Sequence, residues 1–489
     1  MSHILAIDQG TTGSTVIILD GAGVVKAKIN QEYKQIYPKP GWVEHDPEDI
    51  WKSVLNVISQ ALQKAQITGY DIKAIGITNQ RETTVVWNRL TGKPIHNAIV
   101  WQDRRTASFC QSLKKAGHEK KFRTKTGLVL DPYFSGTKIN WLLQNVPGAK
   151  KDIKDLAFGT IDTFLLWRLT GGAVHATDVT NASRTLLMDL KKLQWDKSLC
   201  KILKVPQEIL PEIKPSIGLF GHTKNLTVLP NGIPITGIAG DQHAALFGQT
   251  CFDIGEAKCT FGTGSFLLLN TGAKPVPSKS GCLTTVAWQW NGKVTYAIEG
   301  SAFICGAAVQ WLRDGLSFIE TSSEVEDLAN SVPDTGGVQF VPALTGLGAP
   351  YWKPEARGVV CGLTRGSTKA HLARATLEGM ALQNVELLIA MEKDLGKKLK
   401  KLKVDGGASA NNLLMQMQAD FLGVKCIRPK LIETTSAGAA YMAGLGAGIW
   451  KSLDEIKRIW KQDAEFAPKT KEKDRRVRLK LWQQAVART

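Results

Sequence analysis

Two aspartates stand where chemistry could be done, each at the end of an apolar run. Asp8 follows Ile4-Leu5-Ala6-Ile7 and opens the turn Gln9-Gly10-Thr11-Thr12-Gly13-Ser14. Asp241 follows the run from Ile233 to Ile238, in Gly237-Ile238-Ala239-Gly240-Asp241-Gln242, just before small apolar residues take up helical spacing from His243. Three roles are open for a carboxylate at such a strand-to-helix junction: capping the helix, holding a metal through water, or accepting a proton. Residues 4–19 read as strand, Gly/Thr/Ser turn, strand, a hairpin whose tip offers N–H groups and hydroxyls to an anion. An ordinary tight hairpin has the same pattern, but an unpaired carboxylate at the end of a buried strand is costly, which favours a use for Asp8.

The pattern recurs. Gly255 to Asn270 is again strand, turn and strand, around Gly262-Thr263-Gly264-Ser265. A third glycine turn, Asp405-Gly406-Gly407, follows Leu402-Lys403-Val404 and could accept a base or ribose. Paired hairpins around an anion, one carboxylate for Mg²⁺ and another to take a proton, suit phosphoryl transfer from a nucleotide to a hydroxyl. The hairpins lack the lysine of a P-loop, and no G-x-G-x-x-G follows a strand. Gly262–Ser265 also lacks the G-x-S-x-G elbow of a serine nucleophile. The eight cysteines are scattered, without Cys-x-x-Cys or paired Cys/His spacing, so reduced thiols in the cytoplasm are expected rather than disulfides or zinc.

Elements must carry these groups. The strand Ala74–Thr78 ends in Asn79-Gln80-Arg81-Glu82, where Arg81-Glu82 also reads as an ordinary exposed pair. Ile99-Val100-Trp101 runs into Gln102-Asp103-Arg104-Arg105. In open α/β sheets ligands gather at the carboxyl ends of strands, and three such ends here carry polar groups. Asp46-Pro47-Glu48-Asp49 starts a helix whose apolar face includes Ile50, Val54, Ile58 and Leu62. Tyr133 precedes a helix at Lys138–Leu143 and suits core or pocket wall equally. Asn291-Gly292 joins two strands as a two-residue turn, and the helix Cys305–Leu312 places Gly306 and Gln310 one turn apart. A long helix runs from Ala370 to Asp394, and Thr434–Ala440 opens a helix of small residues suited to close packing. The basic tail from Lys469 reads as a surface helix that frays. Together these give two α/β halves, 1–250 and 251–489, with a cleft between them.

At 489 residues the chain exceeds one hydrophobic core. It has no run of about 18 apolar residues, so no membrane span is expected. The start Met1-Ser2-His3-Ile4-Leu5 does not read as a signal peptide. The net charge of +18 is spread widely, with modest clusters at Lys393–Lys403 and Lys469–Lys480 and no aromatic-interleaved basic ribbon. Nucleic acid is therefore not the expected partner, and the charge suits a general attraction for small anions.

Five motifs in order, Asp8-Gln9-Gly10-Thr11-Thr12, Gly76-Ile77-Thr78-Asn79-Gln80-Arg81-Glu82-Thr83, Asp131-Pro132-Tyr133-Phe134-Ser135-Gly136-Thr137-Lys138, Gly240-Asp241-Gln242 and Val404-Asp405-Gly406-Gly407, resemble the glycerol branch of the FGGY carbohydrate kinases. The resemblance runs from the first strand to about residue 450. It implies a two-domain actin/hexokinase-like (ribonuclease H-like) α/β fold and ATP-dependent phosphorylation of glycerol to sn-glycerol 3-phosphate. Glycerol hydroxyls would meet Arg81, Glu82, Tyr133, Asp241 and Gln242, and Trp101 and Phe266 would cover its carbons. Asp241 would be the base, and Asp8 with Asp241 would hold Mg²⁺ through water. Thr11, Thr12, Gly13 and Thr263 would cradle phosphates, while Gly306, Gln310, Gly407 and Asn411 would line the nucleotide. A homo-oligomer, dimer or tetramer, is expected.

Departures from the family pattern exist. After Thr12 the family often has two serines and an arginine, where this chain has Gly13, Ser14 and Thr15, so the phosphate contact of that arginine is not expected from this position. The short loop Thr223–Gly232 lacks the arginine with which some members bind fructose 1,6-bisphosphate. His222 precedes that loop, where other members carry a phosphorylated histidine, so neither control is expected. Two other readings share these motifs: a sister kinase for a longer polyol or sugar, and a non-catalytic nucleotide-binding protein of the actin-like class.

Overall fold

The computed structural model describes residues 2–489. Three parallel strands, His3–Gln9, Ile72–Asn79 and Pro234–Gly240, form the middle of a six-stranded sheet. Their apolar runs are buried on both faces, as parallel central strands require. Asp8 pairs with Thr78, Gln9 with Asn79 and Gly240 with Asn79, so the three strands end level. Asp8, Arg81-Glu82 and Asp241 thus leave one edge of one sheet, although 233 residues separate the two aspartates (241 − 8). Gly13–Asp20 and Val25–Glu32 extend the sheet on one side and Ile217–His222 on the other.

A seven-stranded sheet from the second half has the order Leu283–Trp290, Lys293–Ala302, Ser265–Gly272, Ala257–Phe261, Lys401–Asp405, Lys425–Pro429, Gln462–Phe466. Ala257–Phe261 is parallel to Lys401–Asp405, with Thr260 opposite Asp405. The hairpin tip 262–264 and the Gly406-Gly407 turn therefore share one end. Asn291 and Gly292 take left-handed φ values of 47° and 72°, as a two-residue hairpin turn demands.

The sheets are joined where two small-residue helices cross, Asp241–Gly248 and Thr434–Gly446. Side chains at Gly248 and Gly438 would overlap the Thr434 and Ala244 carbonyls. Gly76 and Gly237 likewise leave room for the backbone of Thr434–Gly446 on the first sheet. A helix from the second half of the chain therefore lies on the sheet of the first. The shared core brings Ala6, Ala74, Ala239 and Phe247 together with Leu268, Ala297, Ala437 and Ala440.

Helix Pro47–Ala65 starts as expected, with the Asp46 carboxylate accepting the Glu48 N–H at 2.8 Å. The tail is the expected surface helix, but it is pinned along one face. Helix Glu472–Val486 is anchored by Trp482, Ala485 and Val486, and the buried Trp482 indole N–H donates to Glu386 at 2.7 Å. The strand expected at 99–101 covers only Ala98–Ile99. No helix among the described residues is long and apolar enough to cross a membrane.

The helix crossing gives a stability test. Gly438→Ala should cost more than about 2 kcal/mol, because the displaced atom is backbone and cannot rotate away. Gly366→Ala, whose nearest neighbour would be 3.8 Å away, should stay within about 0.5 kcal/mol of the parent in a denaturant melt.

Candidate active site

Beyond Asn79 the chain bends sharply. Glu82 takes a left-handed φ of 60°, a strain that surrounding contacts must hold. They do: Ser135 Oγ donates to the Glu82 carbonyl at 3.0 Å and Arg184 Nε to Glu82 Oε1 at 2.6 Å. Arg81 and Glu82 are only 2% and 1% exposed, so the reading of an ordinary surface pair is wrong.

The partner of Arg81 comes from the other sheet. Glu299, on strand Lys293–Ala302, accepts from Arg81 Nη1 at 2.5 Å, Arg81 Nη2 at 2.9 Å and Arg184 Nη2 at 3.0 Å. Burial alone would raise the Glu299 carboxyl, but the two guanidiniums bring it down to about 2. This fork leaves Arg81 Nε facing Asp241 Oδ1 at 3.1 Å, and Arg81 Nη2 3.3 Å from the Tyr133 hydroxyl.

Asp241 is the first residue of its helix, whose N-cap is Gly240. The helix-cap role for the Asp241 side chain therefore falls away in its usual form. Its Oδ1 accepts the Gln242 N–H at 2.6 Å and faces Arg81, while Oδ2 has no protein partner among the described residues. The side chain keeps 27% of its surface exposed. Burial pushes its carboxyl above the ordinary range and Arg81 pulls it back. Asp8 accepts from Ser436 Oγ at 2.9 Å, and burial, reinforced by the Asp241 charge, raises it to about 7. Asp8 and Asp241 are the two carboxylates here that could hold a divalent cation.

Aromatic groups from both halves of the chain meet here: Trp101 and Tyr133 from turns of the first and Phe266 from strand Ser265–Gly272 of the second. The Trp101 ring lies 5.6 Å from Tyr133 and 6.1 Å from Phe266, both edge-on. The Trp101 indole N–H donates to Thr11 Oγ1 at 2.9 Å, fixing the ring against the first hairpin. Tyr133 proves to be both core and wall: its ring packs on Phe134, 5.0 Å away, and its hydroxyl meets Arg81.

Across from this edge lies a cleft of about 500 Å³ that brings together Thr263, Gly306, Gln310, Gly407 and Asn411. Val309, Met380 and Leu414 supply its apolar lining. A side chain at Gly306 would sit 2.8 Å from the Gly262 carbonyl, whereas Gly407 opens onto free space. Asn411 Oδ1 accepts the Leu414 N–H at 2.8 Å, so this residue also caps the helix Asn412–Leu422.

Thr11, Thr12 and Gly13 do not line that cleft. They belong to the hairpin of the first sheet, with Thr12 exposed at its tip. Gly13 begins the strand, and a side chain there would sit 2.7 Å from the Gln31 carbonyl, which is sufficient reason for a glycine.

Sequence reading missed Glu299, Arg184 and Lys258. The available signal was a charge inside an apolar strand, as in Ala297-Ile298-Glu299 and Ala257-Lys258-Cys259, since a fully buried charge requires a partner.

Comparison with known proteins agrees with this geometry. Residues 3–248 match the N-terminal domain of the FGGY family of carbohydrate kinases, and residues 257–447 its C-terminal domain. The chain is 62% identical to a glycerol kinase of Bdellovibrio bacteriovorus, over 100% of this chain and 99% of the relative. It is 56% identical to one from Deinococcus radiodurans, over 99% and 97%. Among solved structures, a Plasmodium falciparum glycerol kinase with ADP superposes with a TM-score of 0.92 at 41% identity, covering 100% of this chain and 98% of that one. A gluconate kinase of Lactobacillus acidophilus follows at 0.87 and 25%, covering 99% and 97%. The fold is the two-domain, actin/hexokinase-like kinase fold, and the chain belongs to the FGGY family of carbohydrate kinases.

Proposed function

We propose that this chain transfers the γ-phosphoryl group of ATP to glycerol, giving sn-glycerol 3-phosphate. The observation that carries the reading is the Arg81–Asp241 contact at 3.1 Å, set at the common end of three strands opposite a nucleotide-sized cleft. A three-carbon triol needs several polar contacts beside a small apolar wall. Arg81, Glu82, Tyr133, Asp241 and Gln242 offer the first, Trp101 and Phe266 the second. The names of the full-length relatives point to the same substrate.

Asp241 is the proton acceptor in this reading. Arg81 and the Gln242 N–H occupy Oδ1, which leaves Oδ2 to receive the proton of the attacking hydroxyl. Burial, by raising the carboxyl, strengthens it as a base. The backbone of the Gly262–Gly264 turn and the Thr263 hydroxyl take the phosphates on one side, and the Thr11-Thr12 tip takes them on the other. Gly306, Gln310, Gly407 and Asn411 hold the nucleoside. Residues 1–250 thus act as the glycerol and phosphate unit and 251–489 as the nucleotide unit.

Asp8 and Asp241 would hold Mg²⁺ through water, and two nearby carboxylates suit an ion that gives up its waters reluctantly. Mg²⁺ when bound neutralises charge on the β- and γ-phosphates. The eight free cysteines suit a reducing cytoplasmic setting.

An activity screen with ATP across glycerol, xylulose and gluconate tests the substrate. ADP release should be fastest with glycerol, and a clear preference for a sugar or sugar acid would transfer the reading to a sister kinase. Asp241→Asn should lower kcat by about a thousandfold or more while glycerol still binds in calorimetry. Near-normal turnover in that variant would remove Asp241 as the base. Chelation should abolish turnover and added Mg²⁺ restore it, with Asp8→Asn requiring more Mg²⁺ for half-maximal rate.

A further inference from the structure

We infer that Lys258 is a positioning residue for the substrate, holding the Gln242 side chain so that its amide NH₂ faces glycerol; the inference rests on the glycerol site proposed above. Lys258 lies on strand Ala257–Phe261 of the second sheet and has no exposed surface. Its Nζ donates to Gln242 Oε1 and, at 2.8 Å, to Thr260 Oγ1. The chain of contacts continues: Thr260 Oγ1 donates to Asp405 Oδ1 at 2.5 Å, and Gln249 Nε2 to Asp405 Oδ2 at 2.6 Å. Lys258 is therefore fixed from behind by groups of both halves of the chain.

The chemistry of the ammonium decides which way the amide turns. An ammonium has three donors and no acceptor, so only the oxygen of an amide can face it. Gln242 Nε2 must then point away from Lys258. Among the described residues Nε2 has no protein acceptor, and it is not one of the buried atoms left without a partner. Gln242 stands on the first turn of the Asp241 helix, beside Asp241, whose Oδ1 faces the donor Arg81. A hydroxyl that gives its proton to a carboxylate still has lone pairs to offer, and an NH₂ group is what meets them. Burial lowers the affinity of Lys258 for its proton, and the Asp405 charge opposes that effect. Removing the ammonium would leave the buried amide oxygen unpaired and the amide free to turn over.

The test compares Lys258→Met, Gln242→Ala and the double variant in steady-state kinetics. Lys258→Met should raise the glycerol KM about tenfold, with kcat and the ATP KM within about twofold of the parent. The double variant should be no worse than Gln242→Ala alone, since both changes remove one interaction. A glycerol KM unchanged in Lys258→Met but raised in Gln242→Ala, or effects that add in the double variant, would overturn the inference and leave the glycerol site standing. An unchanged KM in Gln242→Ala would remove Gln242 from the glycerol contacts, and the inference with it, while the rest of the glycerol site stands or falls by the substrate screen. Gln242→Glu tests the same point without touching Lys258. Its carboxylate keeps the contact with the ammonium but has no donor for the substrate, so the glycerol KM should again rise about tenfold. A parental KM there contradicts the inference even if Lys258→Met fails to fold.

Discussion

The Glu299 carboxylate, shared by Arg81 and Arg184 and closed off from water, constrains everything around it. Four charges meet there, Glu82 and Glu299 against Arg81 and Arg184, and each is buried. Such a group is tolerated only when complete, because losing one partner leaves another charge buried alone, at about 3–5 kcal/mol. The consequence is geometric. With both Nη atoms of Arg81 bound to Glu299, the guanidinium can offer Asp241 only its Nε edge. The orientation of the proposed base therefore depends on a residue from the other sheet.

The same dependence recurs at larger scale. The Asp241–Gly248 helix is seated against Thr434–Gly446 by glycines that admit no side chain, and Thr434–Gly446 lies on the first sheet. Ser436, on that helix, donates to Asp8. Backbone contact at the crossing and ion pairing around Arg81 thus position Asp8 and Asp241 from two directions. Their opposed demands, close packing below and a partly open carboxylate above, are met because the aspartate begins the helix and does not cap it.

Much of the first sheet's contribution was legible in the sequence. Apolar runs ending in Asp8, Arg81-Glu82 and Asp241 report strand ends directly, and Asn291-Gly292 reports its turn, because these signals are local. The glycine turns that line the cleft proposed for the nucleotide were legible for the same reason. Pairings between the two sheets were not. Arg81 and Glu299 are 218 residues apart, and nothing in the neighbourhood of either specifies the other. The tail was legible as a surface helix but not its anchor: Trp482 is one aromatic among many lysines and arginines, and its buried indole fixes the helix. At Gly13 a phosphate role inferred from resemblance competes with a plain steric one, since the neighbouring strand leaves no space for a side chain.

The central claim is that both sheets together build one site for glycerol and one for the nucleotide. The most direct measurement is a crystal structure with glycerol and a non-hydrolysable ATP analogue bound. The account predicts glycerol in contact with Arg81, Glu82, Asp241 and Gln242 beneath Trp101 and Phe266, with one hydroxyl at Asp241 Oδ2 and in line with the γ-phosphate. The adenosine should lie against Gly407 and Asn411. Glycerol bound away from Asp241, or a nucleotide outside the Gly306–Asn411 cleft, would contradict it.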